Sequence, residues 1–119
     1  DTGWLEKLKS KGISFQARSI FLQGLLLMNK GNRSEKFSRW DDIWKVWDDW
    51  LLANDVTPLQ ACVQFAFAQK LVNSFVVGFQ SSAQITEVTE FHFAPRDISP
   101  EWPDRIPPEL INPSKWNLL

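Results

Sequence analysis

A short apolar run that ends at a glycine constrains the fold of this chain more than any other feature. Phe75–Val77 stops at Gly78, and the segment Ser81–Phe91 then has the periodicity of a helix. Continuous β-branched runs of this length are typical of strands buried on both faces of a parallel sheet. The pattern predicts a strand that passes through a glycine turn into a helix, with Ser81 and Gln84 forming a capping box.

An earlier segment predicts a second unit of the same kind. Ile13–Leu22 alternates between the two faces of a strand, Gly24 interrupts the run, and Leu25–Met28 continues it. The polar residues of Asn29–Phe37 indicate a loop. Two strands that are each followed by helical segments predict βα units, and therefore an α/β fold with parallel strands.

The helix expected after that loop carries a stripe of tryptophans. Ser38 is its predicted N-cap, and Asp41 and Asp42 suit the positive end of the helix dipole. The stripe consists of Trp40, Trp44, Trp47 and Leu51. Such a stripe could be a surface for stacking carbohydrate or another ligand, but buried packing is the more common use of aromatic residues at helical spacing.

Two further helices are predicted from their end signals. Trp4–Lys11 is amphipathic and is followed by Gly12, which favours a helix end. Thr57 begins the other, with proline in the first turn and Gln60 completing a capping box, and this helix runs to about Lys70. We interpret Cys62, on its apolar face, as a buried inert thiol rather than a nucleophile.

Composition excludes several classes of function. The 119 residues suffice for one domain, and the net charge of −1 gives no electrostatic reason to expect nucleic acid or an anionic membrane as partner. No apolar run is long enough to cross a bilayer. The single cysteine, Cys62, excludes an intrachain disulfide and suits a reducing, cytoplasmic compartment. Because the chain begins at Asp1 instead of methionine, we expect it to be part of a longer polypeptide.

The last part of the chain is rich in proline. We divide the sequence into residues 1–93, which hold the βα units, and residues 94–119, a tail that cannot form a long helix or a central strand. Its apolar residues predict that the tail packs on the domain: Trp102, Ile106, Leu110, Ile111 and Trp116.

The two strand-to-helix junctions predict an anion site. The first amides of a helix are unpaired and lie at the positive end of its dipole, and Gly78 has no side chain to block a ligand. Gln80, Ser81 and Ser82 add hydrogen-bonding groups, although a plain βα turn with a good cap would look the same. Ser19 and Gly24 lie at the other junction. In (β/α)8 barrels, phosphates bind at the C-terminal ends of strands seven and eight.

Longer stretches around these junctions resemble a known family. ARSIFLQGLLL, from Ala17 to Leu27, is similar to the seventh-strand segment of aldo-keto reductases, which usually reads Ser-Pro-Leu-x-x-Gly-x-Leu. Asn54–Val88 resembles the seventh helix, eighth strand and eighth helix of that family, without a gap. The tryptophan-bearing helix between them resembles the helix that the family inserts after strand seven.

The resemblance implies the C-terminal βα units of a (β/α)8 TIM barrel, a helix-rich partial barrel in this chain, and binding of NADP, with NAD possible. The whole enzyme would reduce a small carbonyl compound, an aldehyde or a ketone. The implied cofactor-binding residues are Ser19, Phe21, Gly24, Gly78, Phe79, Gln80, Ser81, Gln84 and Glu87. Three positions depart from the family pattern: Gln80 often is arginine, Val88 usually is asparagine and Ile20 usually is proline.

The catalytic groups implied by the resemblance are not matched here. The family uses an Asp, a Tyr, a Lys and a His from the first half of its barrel, and this chain has no tyrosine. We interpret His92 as a solvated residue near a helix end. The resemblance therefore implies an inactive cofactor-binding portion whose uncovered strand edges are closed by helices and tail, lead to self-association or stay partly mobile. Members of this family often place their last residues over the substrate mouth, which implies Trp102 and Trp116 as candidate contacts there. The alternative is a non-enzymatic helical interaction module that uses a tryptophan-rich surface, formed by the Trp40–Trp44–Trp47 stripe and the aromatic tail.

Overall fold

Two short parallel strands and several helices form the described part of the chain, residues 3–91, 99–103 and 105–119 of a computed structural model. The helices are α1 (Trp4–Lys9), α2 (Asp41–Asn54), α3 (Pro58–Ala68), α4 (Ser82–Glu90) and α5 (Pro108–Ile111), and the strands are β1 (Gln16–Arg18) and β2 (Ser74–Val76). Short 3-10 turns cover Leu25–Leu27, Lys30–Asn32, Glu35–Trp40 and Pro113–Leu118. The predicted ends of α1 at Lys11 and of α3 at Lys70 are each two residues too late.

The parallel strand pair predicted from the βα pattern is confirmed. β1 and β2 pair in parallel, with Ala17 opposite Phe75 and Arg18 opposite Val76. The predicted burial of the second strand on both faces is wrong, since the side chain of Val76 is 52% exposed. Ala17 and Phe75 are half-buried on the face that α3 covers, while the opposite face of these two strands is exposed.

The chain after β1 does not continue as a strand. The segment Ile13–Leu22 contributes only Gln16–Arg18 to the sheet, and Leu25–Leu27 forms a 3-10 turn instead of extending the run. The physical reason is local, because Ser19, Leu22 and Gln23 all have positive φ angles of 50–61°. Such angles lie in the left-handed region and are incompatible with an extended strand.

The tryptophan stripe of α2 lies in the core, as predicted. Trp40, Trp44 and Trp47 are 4–7% exposed. The indole N–H groups of Trp44 and Trp47 donate to the carbonyl oxygens of Phe37 and Leu26, at 3.1 and 3.2 Å. These bonds satisfy the polar atoms that burial removes from water.

The start of α2 differs from the prediction. Ser38 is not its N-cap, because Ser38 lies inside a 3-10 turn that leads directly into α2 without a side-chain cap. The preceding segment is also more ordered than the predicted loop, since it contains the turn Lys30–Asn32 and the start of the turn Glu35–Trp40. Asp41 and Asp42 do lie in the first turn of α2.

The capping box at the start of α3 is confirmed. The Gln60 amide donates to Thr57 Oγ1 at 3.2 Å, and the Thr57 amide donates to Gln60 Oε1 at 3.1 Å. Cys62 on this helix is buried, and burial raises the pKa of its thiol to about 12. A protonated, enclosed thiol is a poor nucleophile, which agrees with its prediction as an inert core residue.

Described residues of the tail contact the hydrophobic core. Trp102 stacks on Trp47 with ring centroids 5.9 Å apart, and Trp116 meets Phe37 edge-on at 5.0 Å. Leu110 is 2% exposed, whereas Ile111 is 53% exposed and does not join the core. None of the helices in the described ranges is long and apolar enough to span a membrane. His92 and the proposed division between residues 93 and 94 lie outside the described residues.

Candidate functional site

A cleft of about 460 Å³ lies where both strands end, and we call it the strand-end cleft. Because β1 and β2 run in parallel with Arg18 opposite Val76, the chain leaves both strands at the same edge of the sheet. Segments from the two junctions therefore face each other. The residues that line the cleft are Arg18, Ser19, Ile20, Phe21, Gln23, Gly24, Leu27, Val76, Val77, Gly78, Phe79, Gln80 and Gln84.

The cleft collects most of the cofactor-binding residues expected from the sequence. Ser19, Phe21, Gly24, Gly78, Phe79, Gln80 and Gln84 all line it, although they come from segments more than fifty residues apart. Phe21 is only 7% exposed and also belongs to the hydrophobic core. Ser81 and Glu87 are not among the lining residues.

Ser81 supports the cleft from the start of α4. Its hydroxyl oxygen accepts a hydrogen bond from the Gln84 amide at 3.3 Å, as an N-cap does. The predicted capping box is only half right, since the Gln84 side chain accepts from the amide of Gln80 at 2.8 Å and not from that of Ser81. The Gln80 amide is thereby occupied, and the amides of Ser82 and Ala83 are the ones that helical geometry leaves for a ligand.

The first turn of α4 lies at the end of the cleft that Gly78 and Gln84 line. The first turn of this helix has no acidic residue, so no carboxylate there offsets the helix dipole. Gly78 contributes open space, since a Cβ atom placed on it would meet nothing within 4 Å. The protein's own packing therefore does not require glycine at this position, and the space in front of its backbone is accessible to a ligand.

The opposite wall has an unusual backbone. Ser19, Leu22 and Gln23 adopt left-handed conformations, followed by Gly24 with φ of 83°. Left-handed non-glycine residues are uncommon and cost free energy, and such residues cluster at functional sites. This conformation turns the chain away from the sheet, and the turn places Ser19, Gln23 and Gly24 in the rim of the cleft.

Glu87 lies elsewhere on α4 and has a partner within the protein. The hydroxyl of Thr57 donates a hydrogen bond to its carboxylate, which joins α4 to the first turn of α3. Glu87 is half-buried in this arrangement. Its expected role as a cofactor-binding residue stays a prediction, and the contact that the structure shows for it is this link between two helices.

Sequence reasoning missed Arg18, which lines the cleft at the end of β1. The period of the strand puts Arg18 on the same side as Ser14 and Gln16, and that pattern by itself gives Arg18 no role in a site. Its position immediately before Ser19 was the signal that could have identified it. Gln23, which the left-handed turn brings into the rim, was missed as well.

A second cleft, of about 330 Å³, is apolar and lies against the α3-covered face of the sheet. Trp102 lines it together with Trp47 and Phe75. Trp102 is one of the two tail residues with a candidate role at a substrate mouth, and the other, Trp116, packs on Phe37. In the segments that the structure describes, no group of His, Cys, Asp and Glu side chains could hold a metal ion.

Comparison with protein families identifies the family to which this chain is similar. The model of the Aldo/keto reductase family matches residues 1–98 of the 119, which include both strands and the whole strand-end cleft. No match was found among curated proteins or among solved structures. Because the family model covers most of the sequence, the chain belongs to the aldo/keto reductase family of oxidoreductases, whose members generally use a nicotinamide cofactor.

Proposed function

We propose that this chain is the cofactor-binding C-terminal portion of an NAD(P)H-dependent oxidoreductase that reduces an aldehyde or ketone. The observation that carries the proposal is the meeting of both glycine-bearing junctions in the strand-end cleft. A βα turn that only caps its helix does not require a second glycine-bearing junction to face it. The strand ends of parallel α/β folds are also where ligands usually bind.

The assignment to the C-terminal portion follows from the order of the motifs. The segments around Ala17–Leu27 and Asn54–Val88 resemble strands seven and eight of the family with their helices. The two described strands pair in parallel, as neighbouring strands of a (β/α)8 barrel do. A complete (β/α)8 barrel has about 250 residues. We therefore expect the tyrosine, lysine and other reacting groups to come from polypeptide outside these 119 residues, and the chain alone to be inactive.

The residues of the cleft fit a nicotinamide dinucleotide. Within the described ranges no carboxylate lines the cleft, so no negatively charged side chain there repels phosphate. Polar side chains of Ser19, Gln23 and Gln80 stand beside apolar ones of Ile20 and Val77, which suits a ligand that combines phosphates with flat rings. When bound, such a cofactor supplies hydride to a carbonyl carbon, and this chain's part is to hold it.

We propose NADP as the main cofactor, with NAD possible. Both dinucleotides offer the same phosphates to the helix end and the glycine-bearing backbone. They differ in the 2′-phosphate, for which Gln80 provides only a neutral amide where relatives often have arginine. A neutral donor discriminates less between them than a cation would.

Binding is testable by NMR with the ¹⁵N-labelled chain, since chemical shifts report even millimolar affinity. We expect NADPH and NADH to shift the amides of Ser19, Gly24, Gly78 and Ala83, with little change in α1. Gly78→Val, which fills the open space, should abolish these shifts, while the spectrum of the variant should still be that of a folded chain. An unchanged wild-type spectrum at millimolar NADPH would remove cofactor binding by this chain.

The alternative of a tryptophan-rich docking surface is less well supported. It needs the α2 stripe to be accessible, whereas Trp40, Trp44 and Trp47 are buried. We expect tryptophan emission of the native chain to be shifted to the blue of the unfolded chain. Emission that is red in both states would favour the interaction module.

A further inference from the structure

Arg18 is distinguished by its charge and its place in the strand-end cleft. Within residues 3–91, 99–103 and 105–119, it is the one ionisable side chain among those that line this cleft. It is exposed, and neither of the two ion pairs recorded there includes it, since they join Arg33 to Asp48 and Lys45 to Asp49. Among the described residues, its guanidinium therefore has no carboxylate partner of the kind that Arg33 has.

The register of the sheet places Arg18 between the two junctions. Arg18 is the last residue of β1, directly before Ser19, and it pairs with Val76, two residues before Gly78. A ligand that reaches from the Ser19–Gly24 rim to the Gly78–Gln80 turn must cross this point. The middle of a dinucleotide is its diphosphate bridge, and a guanidinium matches phosphate oxygens with paired hydrogen bonds.

We infer that Arg18 is a cofactor-binding residue that pairs with the diphosphate bridge of the dinucleotide. This inference rests on the proposed function of the cleft. It assigns the positive charge that neutral Gln80 does not supply, and it assigns that charge to the part common to NADPH and NADH. Arg18 consequently raises affinity for both cofactors and does not choose between them.

The test compares NMR titrations of wild type and Arg18→Gln with NADPH, NADH and inorganic pyrophosphate. Loss of one solvent-accessible ion pair should raise Kd about fivefold for each of the three ligands. Arg18→Lys keeps the charge and should lose less affinity. Arg105→Gln, which removes an exposed arginine that is not among the cleft residues, should bind as wild type does. Arg18 is exposed on its strand, so the variants should keep the wild-type melting temperature.

The possible outcomes of these titrations test the role of Arg18 separately from the proposed function. Loss of affinity for NADPH alone would assign Arg18 to the 2′-phosphate and overturn the inference, as would unchanged affinity for all three ligands. Binding of pyrophosphate that depends on Arg18, without binding of either dinucleotide, would support the anion contact while the proposed function fails. A wild-type chain that binds none of the three would overturn both.

Discussion

The hydroxyl of Thr57, at the start of α3, donates a hydrogen bond to the carboxylate of Glu87 on α4. The same oxygen accepts from the amide of Gln60, so one side chain caps a helix and holds a second helix against it. We expect Thr57→Val, which keeps the branched shape, to lower the free energy of unfolding by about 2 kcal/mol, because both bonds are lost. Urea unfolding followed by circular dichroism measures this difference.

Thr57→Ser is the matched control for that variant. Serine keeps the oxygen that makes both bonds and should retain most of the stability. A loss for Thr57→Val no larger than for Thr57→Ser would mean that the methyl group, and not the hydroxyl, stabilises the junction between α3 and α4.

Two glycines of the strand-end cleft should respond differently to alanine. Gly24 has φ of 83°, so Gly24→Ala forces a side chain into the left-handed region and should cost about 1 kcal/mol of stability. Gly78 has no such angle and no neighbour within 4 Å, so Gly78→Ala should leave stability unchanged or raise it slightly. Thermal unfolding of the two variants, beside wild type, separates them. Equal losses would contradict the conformations described for the two junctions.

Two neighbouring aspartates on α2 should differ in their contribution to stability. Asp48 pairs with Arg33, whose side chain is 6% exposed, while Asp49 pairs with the exposed Lys45. Asp48→Asn leaves a buried guanidinium without its counter-charge and should cost about 3 kcal/mol. Asp49→Asn should cost less than about 0.5 kcal/mol, because water screens exposed pairs. Chemical denaturation measures both, and similar losses would contradict burial of the Arg33 pair.

Alkaline pH should weaken the fold through Cys62. Burial raises the pKa of this thiol from 9.0 to about 12, so above pH 9 the unfolded chain loses the proton that the folded chain keeps. Ionisation stabilises the unfolded state, and stability falls by up to about 1.4 kcal/mol per pH unit as pH rises from 9 toward 12. Cys62→Ala removes this term, so the difference in stability between wild type and variant should shrink with pH. A difference that stays constant from pH 8 to pH 11 would contradict the raised pKa.

Local signals with a fixed spacing predicted the structure best. Thr57 and Gln60 satisfy each other's backbone, and their capping box formed as expected. The α2 stripe was predictable because four large residues at helical spacing leave one face to bury. The parallel relation of the strands followed from their position before helices, although the sequence overestimated β1. The alternation of residues along a strand carries no information about the left-handed φ angles at Ser19 and Leu22, which prevent β1 from continuing.

The candidate site was predictable in its backbone and less so in its side chains. Gly24 and Gly78 marked the two junctions, and the parallel pairing brought them together. Arg18 was not predicted as a site residue because charged residues are common on exposed strand faces. Only the approach of a second segment distinguishes it from them. Glu87 was expected near the cofactor, but the packing of α3 against α4 supplies Thr57 as its partner, and nothing local in the sequence gives that contact.

The indole of Trp47 connects parts of the chain that are far apart in sequence. One of its faces stacks with Trp102 of the tail, and its N–H holds the Leu26 carbonyl just after the Gly24 rim. A tail without the aromatic ring of Trp102 would leave the Trp47 side chain less fixed, and the hydrogen bond that holds Leu26 beside that rim would weaken as well. We therefore expect that replacing one of these two segments with that of a homologous chain, without replacing the other, leaves the chain folded but makes the strand-end cleft less rigid.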